Sequence, residues 1–291
     1  MGPPKPLTVG ILTDSHLEEW QVRAIEHLQF ETGVDVSLVV SYVDEFEPAA
    51  KSVALNTRDC LGLVDMGLFL DFLRRRDAWA LVLAERKLGW IFGHDEPLAY
   101  QRAVEDVECL TDAKRIPCEP RSEGAWIELP GAVVDRVEEE CDVVVHFGSR
   151  LVRGEILTAP EYGVIGFHPA DIRKYRGLGP ELLFLNGEAT AGSTLQRLDE
   201  TVDGGEIVAF DTVDIRTCYT LWEIEERIRA MQIRLLTDGI KNLQDPTVEP
   251  TLVSADELGE LYYNTDRQRL TFSASLAAKN LVGRLKQTVI N

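Results

Sequence analysis

Two side chains of this sequence, His168 and Asp203, have the chemical type and the local setting that proton transfer requires. His168 follows the apolar run 163–167 and precedes a proline, which is typical of a buried strand that ends at its carboxyl edge. Asp203 precedes two glycines, whose freedom lets backbone approach a ligand. Histidine titrates near neutral pH, and an aspartate can orient an imidazole ring, so these two residue types suit acid–base chemistry. Each residue taken alone also fits a purely structural role.

The start of the chain predicts the scaffold that would position this pair. The apolar run 7–13 predicts a central strand, and Ser15 and Glu18 have the spacing of a capping box for a helix that ends at Gly33. A second strand is expected over 34–40. This order opens a doubly wound sheet, in which ligands bind beyond the carboxyl ends of the strands. The first turn lacks the GxGxxG spacing of a dinucleotide site, which argues against NAD or FAD.

The later segments continue the alternation of strands and helices. Strands are expected over 107–110, 143–147, 163–167, 194–198 and 206–215, and helices over 132–140, 180–185 and 220–245, with a loop over 117–130. Residues 63–88 have apolar side chains at helical spacing. Arginines 74–76 inside that segment are interpreted as a solvated face, with a phosphate-binding cluster as the alternative.

Several motifs occur in an order that resembles a known family. The motifs are GVIGFHP at 163–169, YRG at 175–177, LNGE at 185–188, AGSTL at 191–195 and LDETVDGGEIV at 198–208, preceded by the segment 141–163. In this order and spacing they resemble the core of the formyltransferases that use 10-formyltetrahydrofolate. That family includes enzymes that formylate methionyl-tRNA, glycinamide ribonucleotide and amino sugars. The clear resemblance covers about a third of the chain.

The resemblance implies roles for individual residues. His168 would act as general base and oxyanion partner, and Asp203 would orient it. The family's asparagine, two residues before the histidine, is replaced here by Gly166, so the usual side-chain donor to the oxyanion is missing. The implied folate contacts are Arg150, Leu151, Val152, Val202 and Gly204, and the expected substrate contacts are Lys174, Tyr175, Arg176 and Gly177, with no metal ligand.

The net charge of the chain limits the kind of molecule that we expect to accept the formyl group. With 49 acidic and 30 basic residues the net charge is −19, which repels a polyanion such as tRNA. The acidic excess also suggests a halophile-like protein, with an acidic protein of ordinary salinity as the alternative. The five cysteines are widely spread, and no run of about 18 apolar residues occurs, so a cytoplasmic location away from membranes is expected.

The sequence thus predicts an α/β protein with a Rossmann-like, mostly parallel sheet, divided into a formyltransferase-like domain (1–247) and a short C-terminal extension (248–291). The expected function is formyl transfer from 10-formyltetrahydrofolate to an amine of a small molecule, such as an amino sugar or a biosynthetic intermediate. The alternatives are a methionyl-tRNA acceptor, a formyltetrahydrofolate hydrolase, and a non-catalytic folate- or nucleotide-binding homologue. A homodimer remains open as the oligomeric state.

Overall fold

The computed structural model describes residues 7–42 and 77–290 of the chain. Its strands are β1 (Thr8–Thr13), β2 (His16–Glu18), β3 (Asp35–Tyr42), β4 (Gln101–Ala103), β5 (Lys114–Cys118), β6 (Arg121–Glu123), β7 (Trp126–Glu128), β8 (Val143–His146), β9 (Leu151–Arg153), β10 (Val164–His168), β11 (Tyr175–Arg176), β12 (Thr190–Arg197), β13 (Glu206–Asp214) and β14 (Glu260–Leu261). Its α-helices are α1 (Glu19–Thr32), α2 (Ala80–Ile91), α3 (Gly131–Glu140), α4 (Pro180–Asn186), α5 (Leu221–Gln244), α6 (Asn264–Arg267) and α7 (Leu270–Ile290).

A seven-stranded sheet forms the centre of the described chain, in the order β13-β12-β10-β8-β1-β3-β5. The strands from β10 to β5 run parallel to one another, whereas β12 and β13 are antiparallel to their neighbours. The inner strands are nearly continuous runs of Val, Ile and Leu, as expected where both faces of a parallel sheet are covered. The predicted α/β class with a mostly parallel sheet is confirmed.

Helices cover both faces of this sheet. On one face α1 and α5 pack together over a core that contains Ile165 and Leu195. On the other face α3 packs over Val144 and Val164. Helix α5 begins with the predicted capping box, because the Thr220 hydroxyl accepts from the Glu223 N–H and the Glu223 carboxylate accepts from the Thr220 N–H. His168 lies at the carboxyl end of its strand, between the helices that cover the two faces.

The C-terminal residues pair with, and pack against, the rest of the described structure. Strand β14 pairs in parallel with β11, and Thr251 forms an isolated bridge with Ile207. Val253 is buried against Ile172 and Ile207, and α7 contacts α2 and α4. A small additional sheet, β6-β7-β9, lies beside β8 and its following turn. The division at residue 247 stays a prediction, but the segment after it contributes directly to the loop that follows His168.

The first helix begins later than the sequence predicts. Glu18, not Ser15, precedes the helix, and the Gln21 side chain accepts a hydrogen bond from the Glu18 N–H at 2.8 Å. The Ser15 hydroxyl instead bonds the Nδ1 of His16 at 2.9 Å. Residues 16–18 form β2, which pairs with β4 and so competes with the helical alternative. The helix ends at Gly33 as expected, in the left-handed conformation (φ 65°).

Two further expectations are wrong in the region before α3. Residues 108–110 form a 3-10 turn and not a strand, and β5 to β7 occupy part of the predicted loop 117–130. Pro117 is tolerated in β5 because this strand is the edge of the sheet, where one side of the backbone has no ladder to complete. The arginines 74–76 lie outside the described residues.

Candidate active site

Strand β10 delivers His168 to the carboxyl edge of the sheet. Alternate residues of a strand point to opposite faces, so Gly166 and His168 share the face on which Val164 packs. The antiparallel register with β12 sets Gly166 opposite Gln196 and His168 opposite Thr194. The His168 side chain is 4% exposed and therefore depends on protein partners for its hydrogen bonds.

Asp203 reaches His168 from the turn between β12 and β13. Its Oδ2 lies 3.2 Å from the Nδ1 of His168 and accepts the backbone N–H of Gly177 at 2.7 Å. Its Oδ1 accepts the side-chain amide of Gln196 at 3.1 Å. Burial alone would raise the pKa of Asp203, but the charged ring of His168 and these hydrogen bonds lower it to about 2. The carboxylate is therefore ionised at neutral pH.

The second nitrogen of His168 is also bound. Its Nε2 donates to the backbone carbonyl of Tyr175 at 2.9 Å. Burial alone would lower the pKa of His168, but Asp203 and this carbonyl outweigh burial, and the pKa is raised. Since a carboxylate and a carbonyl are both acceptors, the ring is best satisfied as an imidazolium that donates from both nitrogens. His168 therefore holds a proton in the resting site.

A cavity of about 330 Å³ opens in front of the His168–Asp203 pair. Four of the five expected folate contacts line it: Arg150, Leu151, Val152 and Val202. Gly204 does not line it, and a Cβ at this position would lie 2.6 Å from the Cγ2 of Thr201. The other lining residues include Trp20, Trp126, His146, the turn 147–149, Gln196, Leu198 and Asp199. The assignment of these residues to a ligand stays a prediction.

The expected substrate loop is used largely to build the site. The Arg176 guanidinium donates to the carbonyls of Val202 and Asp203, at 2.9 and 3.1 Å from its Nε. The Tyr175 hydroxyl donates to Glu188 at 3.0 Å. Gly177 lines the cavity, while Lys174 is exposed and lines neither described cavity. The structure thus gives Tyr175, Arg176 and Gly177 partners within the protein.

The Leu198 side chain packs close to the space that a side chain at position 166 would enter. A Cβ built on Gly166 would lie 3.2 Å from both methyl carbons of Leu198, closer than side chains ordinarily pack. The sequence motif that contains Leu198 gave no sign of this contact, because it depends on how β10 and the end of β12 align. The same alignment brings Gln196, another residue not singled out from the sequence, to the cavity wall.

His146, which lines the cavity and pairs with Gly166 across β8 and β10, forms a buried pair with Tyr42. The Tyr42 hydroxyl lies 3.3 Å from the Nε2 of His146, and burial lowers the pKa of His146 to about 4. A Cβ on Gly148 would lie 1.5 Å from the Tyr42 hydroxyl, so only glycine fits at this position of the turn. The N–H of Ser149 donates to Asp14 at 3.1 Å. These contacts fix the turn that carries Arg150.

A second cavity of about 240 Å³ lies beyond Phe167 and Trp20, which line both cavities. Its charged walls are Glu18, Glu181, Glu225, Arg229 and Arg267. Arg229 pairs with Glu18 and with Glu225 at 3.1 Å each, and the Nε of Arg267 donates to Glu181 at 2.9 Å. Both arginines are therefore already neutralised, and three carboxylates face two cations.

The part of the chain that the structure describes offers no cluster of three or more metal-ligating side chains. None of the helices in residues 7–42 and 77–290 has the length and apolar character that a membrane crossing needs.

Comparison with known proteins agrees with this geometry. A sequence profile of the formyl transferase family matches residues 113–240, which include both His168 and Asp203. The chain is 34% identical over 116 residues to the methionyl-tRNA formyltransferase of Agathobacter rectalis, a match that covers 40% of this chain and 37% of that protein. The chain thus spans well under half the length of this relative.

Solved structures show the same fold at low identity. Glycinamide ribonucleotide transformylase 1 of Symbiobacterium toebii has a TM-score of 0.50 at 18% identity, over 85% of this chain and 95% of that one. An N-formyltransferase of Helicobacter canadensis, in complex with folinic acid and dTDP-3-aminofucose, has a TM-score of 0.50 at 12% identity, over 89% and 72% of the two chains. Residues 113–240 thus match the formyl transferase family, and the chain shares its fold with these solved structures.

Proposed function

We propose that this protein transfers a formyl group from 10-formyltetrahydrofolate to the amine of a small molecule. The observation that carries the proposal is the His168–Asp203 pair, 3.2 Å apart at the mouth of a 330 Å³ cavity, inside the segment that matches the family. His168 and Asp203 come from different strands and turns, 35 residues apart in the chain. Such a charged pair, half enclosed, is suited to acid–base chemistry.

The cavity walls fit a formylated folate. Trp126, Val152 and Leu198 provide apolar surface for a flat ring, and the backbone of the turn 147–150 provides polar groups along its edge. Bound there, the folate would supply the formyl carbon. The Helicobacter canadensis relative binds folinic acid, which supports a folate ligand for this fold.

The resting imidazolium determines the order of proton transfers. The amine nitrogen forms a bond to the formyl carbon, and the carbonyl electron pair moves to oxygen. That pair then returns to re-form the carbonyl as the bond from the carbon to the folate nitrogen breaks, with the electrons of that bond going to the nitrogen. His168 first gives the leaving nitrogen the Nε2 proton that the Tyr175 carbonyl accepts at rest, and then takes the proton of the new ammonium. Asp203 stays ionised and stabilises the charged ring at both ends of the cycle. Protons and electrons balance without an additional reactant.

The second cavity indicates the character of the acceptor. It adjoins the first along Phe167 and Trp20, so an acceptor seated in it could present an amine at the edge beside His168. Its two arginines are paired with glutamates, and burial raises the pKa of Glu225. Even with Glu225 neutral, two carboxylates face two guanidinium groups, so this cavity has no excess positive charge to attract a phosphate-bearing acceptor. We infer a neutral or cationic amine, such as an unphosphorylated amino sugar, in preference to tRNA.

The test uses the full chain with 10-formyltetrahydrofolate and hydroxylamine, a small amine that gives coloured formohydroxamate with ferric ion. The wild-type protein is expected to form formohydroxamate, and His168→Ala to be slower by about 10²–10⁴-fold, the range that positioned acid–base groups supply. His94→Ala is the matched control, because His94 hydrogen-bonds Gln287 and lines neither described cavity.

Additional measurements in the same assay distinguish the alternative functions. Formate release at the same rate without any amine would identify a hydrolase instead. Folate binding without product from hydroxylamine, amino sugars or methionyl-tRNA would identify a non-catalytic homologue, and a strong preference for methionyl-tRNA would overturn the small-molecule assignment.

A further inference from the structure

The space beside the reacting formyl oxygen lacks the side chain that position 166 would provide. Gly166 has no donor group, and Leu198 fills the room that a larger residue would need, with its methyl carbons 3.2 Å from a Cβ built there. Attack by an amine places negative charge on the formyl oxygen, and a preorganised N–H donor is the usual means of stabilising it. In this chain the donor must come from another residue.

Gln196 occupies the position directly across the ladder. The β10–β12 register pairs Gln196 with Gly166, and residues paired in this way project from the same face of the sheet. His168, two residues after Gly166, projects from that face as well. Gln196 is therefore paired with Gly166 on the same face of the sheet as His168.

The orientation of the Gln196 amide is fixed by its partners. Its Oε1 accepts the backbone N–H of Gly205 at 3.1 Å, and its Nε2 donates to Asp203 at 3.1 Å. A backbone N–H can only donate and a carboxylate can only accept, so the amide cannot be flipped without losing both bonds. Gln196 is 2% exposed, which holds this arrangement in a dry environment.

One N–H of this amide remains for a ligand. A carboxamide nitrogen carries two hydrogens, and among the described residues only Asp203 accepts from the Nε2 of Gln196. Gln196 lines the first cavity together with His168 and Asp203. The second hydrogen thus belongs to a residue of the cavity wall whose amide two other bonds have already oriented.

We propose that Gln196 is a catalytic residue that donates an N–H to the formyl oxygen as negative charge develops, in place of the side chain that Gly166 lacks. His168 supplies the proton and positive charge, and Gln196 supplies the neutral donor from the neighbouring strand. The inference rests on the proposed formyl transfer. With His168 and Gln196 the site has two donors although position 166 is a glycine. His168 is then the only donor that β10 contributes.

The decisive variant is Gln196→Met, which keeps the length of the side chain and removes the amide. In the hydroxylamine assay we expect kcat to fall by about 10²–10³-fold, the typical effect of removing one oxyanion donor, with KM for 10-formyltetrahydrofolate changed less than about threefold. The affinity for 5-formyltetrahydrofolate, measured by calorimetry without turnover, should stay within the same factor. Gln29→Met makes the same chemical change on α1, where the amide bonds Cys109, and should keep the wild-type kcat.

A relocated amide separates this role from mere support of Asp203. In the triple variant Gly166→Asn, Leu198→Ala, Gln196→Met the amide returns to β10 in a space cleared of Leu198, and kcat should recover at least tenfold over Gln196→Met. Failure to recover, with melting temperature and 5-formyltetrahydrofolate affinity unchanged, would overturn the assignment. Gln196→Leu replaces the methionine variant if the latter does not fold.

The other possible results distinguish failure of the Gln196 inference from failure of the proposed function. Unchanged kcat in Gln196→Met beside an active wild type would overturn the inference and leave the proposed function intact. A raised KM and weaker folate affinity at constant kcat would make Gln196 a binding residue only. An inactive wild type that binds no folate would instead remove the proposed function.

Discussion

Asp203 has a backbone conformation that few residues with a side chain adopt. Its φ is 47°, in the left-handed region, where a non-glycine residue is usually held by its surroundings. Here the surroundings are specific, since its carboxylate contacts His168, Gly177 and Gln196. The strain and the contacts belong together, because an ordinary turn would direct this carboxylate elsewhere. Position 203 therefore combines a local energetic penalty with the orientation of the His168 ring.

His146 should make the fold sensitive to acid. The ring is 9% exposed, lies 3.3 Å from the Tyr42 hydroxyl, and has its pKa lowered to about 4 by burial. A histidine whose pKa is depressed in the folded protein contributes stability fully above pH 6.5. That contribution is lost as pH falls from 6.5 towards 4. Over this window the loss amounts to roughly 3 kcal/mol, at about 1.4 kcal/mol for each pH unit.

His146→Gln removes this titration and keeps a polar partner for Tyr42. Between pH 7.5 and pH 5 the free energy of unfolding should fall by about 2 kcal/mol less in the variant than in the wild type. Urea denaturation at the two pH values measures the difference. The raised pKa of His168 acts in the opposite direction, since its contribution is present below pH 6.5 and is lost as pH rises through the raised value. His168 is unchanged in both proteins, so equal pH dependence would contradict the role of His146.

At the scale of elements, the segment 175–177 joins His168 and Asp203 to the C-terminal part of the chain. Tyr175 and Arg176 form β11 against β14, and the Tyr262 N–H donates to the Arg176 carbonyl at 2.9 Å. Gly177 then turns with φ 74° and gives its N–H to Asp203. A Cβ at Gly177 would lie 1.9 Å from the carbonyl oxygen of Tyr262.

Gly177→Ala is therefore expected to push β14 away and to loosen Asp203. The melting temperature should drop well beyond the effect of positive φ alone, and formyl transfer should fall by at least tenfold, because the hydrogen bond to Asp203 is displaced. Gly124→Ala is the matched control, since Gly124 has φ 59° and no atom within 4 Å of its Cβ position. That control should lose only about 1 kcal/mol. Similar losses in the two variants would contradict the proposed clash.

The sequence predicted the elements whose patterns are local. The strand at 8–13, the strand at 143–146, and the helix from 221 have continuous apolar runs or a capping box, and all three are present. Strand β5 was missed because Lys114, Arg115 and Pro117 belong to a polar edge whose pairing with β3 is not visible in its own sequence. Strand β2 was missed for the same reason, since only its pairing with β4 identifies it.

The candidate site was predictable to the same extent. His168 and Asp203 belong to recognisable sequence motifs, and the structure brings the two side chains into contact. Gln196 and Leu198 were not singled out, because their relation to Gly166 follows from the register of two strands separated by more than twenty residues. A one-residue shift in that register would turn Gln196 to the opposite face.

At the scale of the whole molecule, the net charge of −19 should make stability depend on salt. Like charges on a compact surface repel one another, and the Debye length falls from about 10 Å at 0.1 M salt to about 3 Å at 1 M. We expect the melting temperature to rise by at least about 2 °C between 0.1 and 1 M KCl, a shift that corresponds to ~1 kcal/mol in a large domain.

A charge-reduced variant provides the comparison. Replacing the exposed residues Glu138, Glu161 and Glu249 by lysine brings the net charge to −13, since each replacement changes it by two. Differential scanning fluorimetry should show a smaller salt-dependent rise for this variant. An equal or larger rise would mean that the salt effect does not come from self-repulsion.

The pairing of β14 with β11 has a consequence for biosynthesis. The backbone carbonyl that receives the His168 proton belongs to Tyr175, and Tyr175 is held by residues 260–261, almost ninety positions later in the chain. While the ribosome is still making those residues, a nascent chain can already contain the complete parallel sheet yet lack the partner strand for its reactive loop. Under the proposed function, the loop after His168 therefore acquires its partner strand only once residues 260–261 have been made.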